Sequence, residues 1–142
     1  MIEVKYACSS NIFNIPKIDN LLCFLLEHEN ILEYRGFCFA AHELLINSIE
    51  ALRGIYSKSL QNDINVYIQI SDDIILFSIN DRGGGIPEET MQRIDKLNME
   101  DLLNEERGRG IYLIKNFVDE FSYAAEDNGS FSYTISSRRN GR

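Results

Sequence analysis

A chain of 142 residues is long enough for one domain with a sizeable core, and a hydrophobic content of 44% excludes a disordered polymer. The net charge of −8 disfavours non-specific binding to nucleic acid or an anionic membrane, whose phosphates would repel it, and leaves open an acidic surface meeting a basic protein. No apolar run approaches the ~18 residues that cross a bilayer. The start, MIEVKYACSSN, lacks a basic stretch followed by an apolar one. The expectation is a cytoplasmic protein that needs neither nucleic acid nor membrane.

Residues 2–8, IEVKYAC, alternate as a strand does. Pro16 then opens PKIDNLLCFLLEHEN, a helical pattern with an apolar stripe through Ile18, Leu21, Leu22 and Leu25. A second helix is predicted over about 33–53, with Gly54 as its stop signal. Two strands follow. INVYIQI puts Val66, Ile68 and Ile70 on one face, and IILFSIN does the same with Ile75, Phe77 and Ile79. The SDD between them reads as the turn of an antiparallel hairpin. The second strand runs directly into NDRGGGIPEE, Asn80 to Glu89, which holds three of the chain's nine glycines.

Residues 88–107 are polar with weak helical periodicity, and read as a short helix plus a mobile segment. GRGIYLIKNFVDEF reads as a helix that starts at glycines, and DNG separates FSYAAE from SFSYTIS as a hairpin turn. The basic end, about 138–142, reads as a frayed tail. The predicted order is β-α-α-β-β-loop-α-β-β. It suggests one α+β domain over 1–142, a two-layer sandwich with helices on one face of a mostly antiparallel sheet. Cys8, Cys23 and Cys38 are odd in number and lack CxxC spacing, which argues against a disulfide framework or zinc site. They read as small buried hydrophobes in a reduced compartment.

Three stretches carry chemistry. On the 33–53 helix, Cys38, Ala41, Leu45, Ile49 and Leu52 share one side at 100° per residue, and Glu43, Asn47 and Glu50 lie nearly opposite. Periodicity alone favours a solvated polar face. Against that, the stripe is flanked by Phe39 and Ile46, and a carboxylate and a carboxamide one turn apart in apolar surroundings suit a site. An Asn oxygen is a hard ligand for Mg²⁺, and a nearby Glu takes a proton. His42 points about 100° away from Glu43, at the helical step per residue, and reads as a capping or packing histidine rather than a phosphoacceptor.

The loop DRGGGIP follows a strand, as phosphate cradles do, but it has no GK[ST] ending and no GxGxxG spacing. An acid beside the glycines would repel phosphate, and Asp81 is better used as an acceptor for an amino group. A plain turn would need only one or two glycines; three suggest close approach to something flat. RGRGI, Arg107 to Ile111, is the better phosphate site, because Gly108 and Gly110 sit where a helix begins with Arg109 between them.

In order, these stretches read E-x-x-x-N on a helix, D-x-G-x-G after a hairpin and G-x-G opening a later helix. Together they resemble the N, G1 and G2 boxes of the GHKL ATPase superfamily. With the small size and GRGIYLIKNFVDEF, the chain looks most like the anti-sigma-factor serine/threonine kinases of bacterial partner-switching systems, over about residues 15 to 137. The resemblance implies ATP and Mg²⁺ as cofactors. It implies that Asn47 coordinates the metal bridging the ATP phosphates and that Glu43 is the general base for the attacking hydroxyl. Asp81 would accept a hydrogen bond from the adenine amino group, with Gly83 and Gly85 letting the loop pass close to the base. Gly108, Arg109 and Gly110 would line the phosphates and close a lid formed by about 88–107. Ser130 stands where the family often has a Thr near adenine. The implied partners are a sigma factor or other regulatory protein, an antagonist protein as phosphoacceptor, and a second copy in a homodimer.

Two features depart from the family pattern. Ala51-Leu52 stands where a His-Ala or His-Gly pair often follows the Asn, and the lid is short and lacks obvious threonines. Nucleotide binding survives both; phosphoryl transfer, which needs positioning as well as charge, is put in doubt. A non-catalytic nucleotide-dependent binding module is therefore an alternative. A histidine-kinase catalytic part is a further one, with only about 30 residues ahead of the Glu43 helix for an acceptor hairpin.

Overall fold

The computed structural model describes residues 1–31, 34–55, 64–82 and 109–139. Their elements are β1 (Ile2–Cys8), α1 (Asn14–His28), α2 (Tyr34–Ile55), β2 (Ile64–Ile70), β3 (Ile74–Asp81), α3 (Arg109–Phe117), β4 (Glu120–Ala125) and β5 (Phe131–Arg138). The expected lid over 88–107, with Gly83, Gly85 and Gly108, lies outside the described residues.

The five strands form one sheet in the order β1-β2-β3-β5-β4, and every neighbouring pair is antiparallel. The register lines apolar residues into rows that cross it. Val4, Ile68, Phe77, Ile135 and Phe121 make one row, and Tyr6, Val66, Ile79, Tyr133 and Tyr123 the next. Because alternate side chains point to opposite faces, these rows form a single apolar face. The helices cover it except at Tyr123 on the edge strand β4, which is exposed, and this gives the expected α+β architecture. Asn65, Tyr67, Ser78, Asn80, Ser132 and Thr134 belong to the other, polar face, where Ser78 Oγ and Thr134 Oγ1 are 2.9 Å apart. Phe77 is fully buried in the central strand. Phe77→Ala is expected to lower unfolding stability by about 3–5 kcal/mol, read as a fall in the urea midpoint with little change in slope.

The turns form as their residues dictate. In the SDD turn, Ser71 N donates to Ile74 O at 3.0 Å. At the DNG turn Gly129 adopts φ +86°, the left-handed conformation that glycine takes without penalty. Glu126 N donates to Ser130 O at 2.8 Å there, so the connection is longer than a two-residue hairpin loop.

Helix α1 starts two residues ahead of Pro16. Asn11 Oδ1 accepts from Phe13 N at 2.9 Å, a local turn that launches the helix at Asn14. Pro16 then sits in the first turn, where its missing N–H has no intrahelical partner to lose. The fully buried stripe runs through Ile18, Leu22 and Leu26, with Leu21 and Leu25 partly buried beside it. Helix α2 buries a wider face than the predicted one. Phe37, Ala40, Leu44 and Ser48 join Ala41, Leu45, Ile49 and Leu52, because α2 packs on α1, on α3 and on the sheet at once. Cys38 moves to the edge of that face.

The basic end is held further along than fraying from 138 would suggest. Arg138 pairs with Ile74, and Arg139 donates from Nη1 to Ser71 O at 2.6 Å and from Nη2 to Glu29 O at 3.1 Å. Among the described residues, no helix is long and apolar enough to cross a membrane.

Candidate functional site

The last residue of β3 breaks the sheet's chemistry. Asp81 stands on the apolar face after Ile75, Phe77 and Ile79, opposite Ile64 and Phe131, and is 1% exposed. A carboxylate there costs several kcal/mol unless hydrogen-bonded. Ser48 supplies one such bond, its hydroxyl donating to Asp81 Oδ2. Ser48 belongs to α2 and is itself buried. The contact fastens the end of β3 to the helix that carries Glu43 and Asn47.

Those two residues are half-buried, whereas Glu50, the third member of the polar stripe, is exposed. The stripe is therefore not a uniformly solvated face. Asn47 Nδ2 donates to the Glu43 main-chain oxygen at 2.9 Å. That bond commits the amide nitrogen and leaves Oδ1 as the acceptor end. The described residues hold no group of three or more His, Cys, Asp or Glu side chains able to bind a metal. Magnesium needs no such cage: it takes one or two hard protein oxygens and completes its shell with phosphates and water. An oriented Asn oxygen fits that demand.

His42 keeps to the packing role, with Nδ1 2.6 Å from Asp19 Oδ2 on α1. Arg109 and Gly110 open α3, as the sequence led us to expect. Helix α3 packs against α2 through Phe117, whose ring meets Phe39 edge-on at 5.2 Å. A Cβ added at Gly36 of α2 would lie 3.0 Å from Phe117 Cδ1, so that glycine permits the close approach.

Ser130 is 1% exposed and precedes β5 at the Asp81 end of the sheet. Its hydroxyl accepts from Asn80 Nδ2 at 2.9 Å and donates to Asn128 Oδ1 at 2.5 Å. Asn80 also donates to Ser132 Oγ at 3.0 Å. Asn80 alternates to the opposite side of β3 from Asp81, so these bonds hold the Ser130 hydroxyl on the Asn80 side. On that polar face a concavity of about 380 Å³, lined by residues including Lys5, Tyr67, Ser78 and Asn80, lies across the sheet from Asp81 and away from Glu43 and Asn47.

Ser48 and Asn80 are the residues that sequence reading missed. Ser48 is adjacent to Asn47, but its partner is 33 residues away, and no local pattern announces a tertiary hydrogen bond. For Asp81 a signal did exist: it continues a strand alternation that otherwise places Ile or Phe on the covered face.

Among curated protein sequences none matches this chain. Solved structures do. The structure of the RsbU and RsbW domains of Rv1364c from Mycobacterium tuberculosis superposes with a TM-score of 0.68 at 15% identity, covering 98% of this chain and 33% of that one. The SiaB-SiaC complex from Pseudomonas aeruginosa gives 0.63 at 14% identity, covering 95% and 89%. The chain thus spans about a third of the first of these, and at such identities the likeness is one of fold. The family described as histidine kinase-like ATPase domain matches residues 23–131, a span that takes in α2, the Asp81 strand end and the start of α3. With well over half of the chain inside that match, the chain belongs to the histidine kinase-like ATPase domain family.

Proposed function

We propose that this protein is an ATP-dependent serine/threonine kinase of the partner-switching kind. It binds a sigma factor or other regulatory protein and phosphorylates an antagonist protein. The observation that carries the reading is the buried Asp81, fastened through Ser48 to the helix that bears Glu43 and Asn47. A buried, oriented carboxylate at a strand end reads an amino group, which is what adenine offers. A half-buried glutamate one turn before a half-buried asparagine places a proton acceptor beside a hard oxygen.

In this reading Asp81 accepts from the adenine amino group, and Gly83 and Gly85 pass beside the base. Ser130, held by Asn80 and Asn128, braces the adjoining end of β5. Asn47 holds Mg²⁺, which when bound neutralises charge on the phosphates. Gly108, Arg109 and Gly110 line those phosphates at the start of α3. Glu43 takes the proton of a Ser or Thr hydroxyl as that oxygen attacks the γ-phosphorus and ADP leaves. Protein partners are supported by the company that the fold keeps. One similar structure holds RsbU and RsbW domains in one chain, and the other is a complex of SiaB with SiaC. A homodimer belongs to the same proposal.

Leu52 favours a second reading, a module in which ATP binding alone presents a surface to a partner. It is fully buried in the core and stands where the family often has the second residue of a His-Ala or His-Gly pair. A pull-down with and without γ-labelled ATP, followed by phosphosite mapping of the bound protein, separates the two. Label on a Ser or Thr of the partner is the expected result. ATP-dependent capture without label supports the module.

A further inference from the structure

Helices α1 and α2 meet along a ladder of side-chain pairs in which four residues forward on α1 match four residues back on α2. Asp19 meets His42 at 2.6 Å, and Glu27 meets Tyr34 at 3.1 Å. The rung between them is Cys23 and Cys38, whose sulfurs are 2.9 Å apart. Both thiols are free and half-buried, unlike Cys8, which is buried on β1. The spacing of 15 residues between them gives no sequence signal. The antiparallel helix register alone creates the pair, and the polar rungs on either side hold it.

The geometry points to a modification site: Cys23 and Cys38 form a reversible intramolecular disulfide that staples α1 to α2 when the protein meets a peroxide. The sulfurs need to close by about 0.9 Å to reach bonding distance. Burial, and then the hydrogen bond with the Cys23 thiol, push the Cys38 thiol well above its ordinary range. Cys38 therefore stays protonated at neutral pH, and the reaction opens at the other sulfur. The Cys23 thiolate attacks one peroxide oxygen, the O–O bond breaks and a sulfenic acid forms on Cys23. The Cys38 sulfur attacks that sulfur, the S–S bond forms, the Cys38 proton is released and hydroxide leaves as water. Two thiols lose two electrons and two protons, and hydrogen peroxide gains them as two waters. A small reducing thiol reverses the link by exchange. The staple lies five residues ahead of Glu43 on the same helix.

The test treats the native full chain with hydrogen peroxide, then unfolds it, alkylates the remaining thiols and maps the peptides. Two of the three thiols are expected to resist alkylation, the mass to fall by about 2 Da for the two lost hydrogens, and the Cys23 and Cys38 peptides to be joined. Dithiothreitol restores three reactive thiols. The oxidised chain melts above the reduced one, because the link constrains the unfolded state. Cys38→Ser, checked as folded by circular dichroism, forms no such link and shows no oxidation-dependent rise in Tm. Three alkylatable thiols after peroxide, a link that includes Cys8, a link only between two chains, or Cys23 driven to sulfinic acid without a bond to Cys38 would each overturn the proposal.

Discussion

Glu43→Ala is expected to lower phosphoryl transfer to the antagonist protein by about 10²–10⁴-fold, the range that a positioned general base supplies. ATP affinity should stay within about threefold of wild type, because the proposed role puts Glu43 on the acceptor hydroxyl and not on the nucleotide. Circumstances in the fold make this separation clean. The Glu43 main-chain carbonyl, not its carboxylate, is what accepts from Asn47 Nδ2. Truncating the side chain therefore leaves the asparagine's anchoring bond in place. Glu43 is half-buried in the middle of α2 and outside the buried core, so its loss opens no core cavity. Initial rates with γ-labelled ATP, beside calorimetric ATP binding by the same variant, make the measurement. Unchanged transfer would remove Glu43 from its role.

Asp81→Asn is expected to weaken ATP binding by about 10- to 100-fold. A hydrogen bond to a charged acceptor is worth ~1.5–3 kcal/mol, and ~1.4 kcal/mol is tenfold in affinity. The substitution keeps the side chain's shape beside its cross-strand partners Phe131 and Ile64, so the loss reports the acceptor and not a cavity. The Ser48 hydroxyl, which donates to the carboxylate, can also accept from an amide, so the contact between α2 and β3 persists. Calorimetry with ATP and the folded variant reads the effect. Wild-type affinity in Asp81→Asn would mean that this loop does not read the base.

The fold was legible where one face of an element is buried and the other is not. Alternation in Ile64–Ile70, and the same-face set Ile75, Phe77 and Ile79, marked β2 and β3, and the turn residues SDD and DNG placed both hairpins. The strand order β1-β2-β3-β5-β4 was not legible, because it depends on which apolar rows match across strands distant in sequence. The start of α1 lies two residues ahead of the Pro16 signal, since the local Asn11 turn sets it. On α2 a single stripe was expected where three neighbours bury a broad face.

The site was legible as three motifs and illegible as a connected object. Glu43, Asn47 and Asp81 stand out by residue type and spacing. Ser48, which joins helix to strand, looks like any polar residue of a helix. Cys23 and Cys38 show the same limit: reading the cysteines as buried hydrophobes suits Cys8, but the meeting of the other two is a product of helix packing. Long-range hydrogen bonds and helix registers are tertiary facts, and neither periodicity nor local motif encodes them.

In the proposed function, Asp81 selects an adenine nucleotide. Adenine presents an amino donor where guanine presents a carbonyl acceptor, and a buried carboxylate repels the second. The direct measurement is the dissociation constant of the wild-type chain for ATP and for GTP in the presence of Mg²⁺. ATP is expected to bind at least about 100-fold more tightly. Equal affinity for the two, or no binding of ATP, would show that Asp81 does not select adenine.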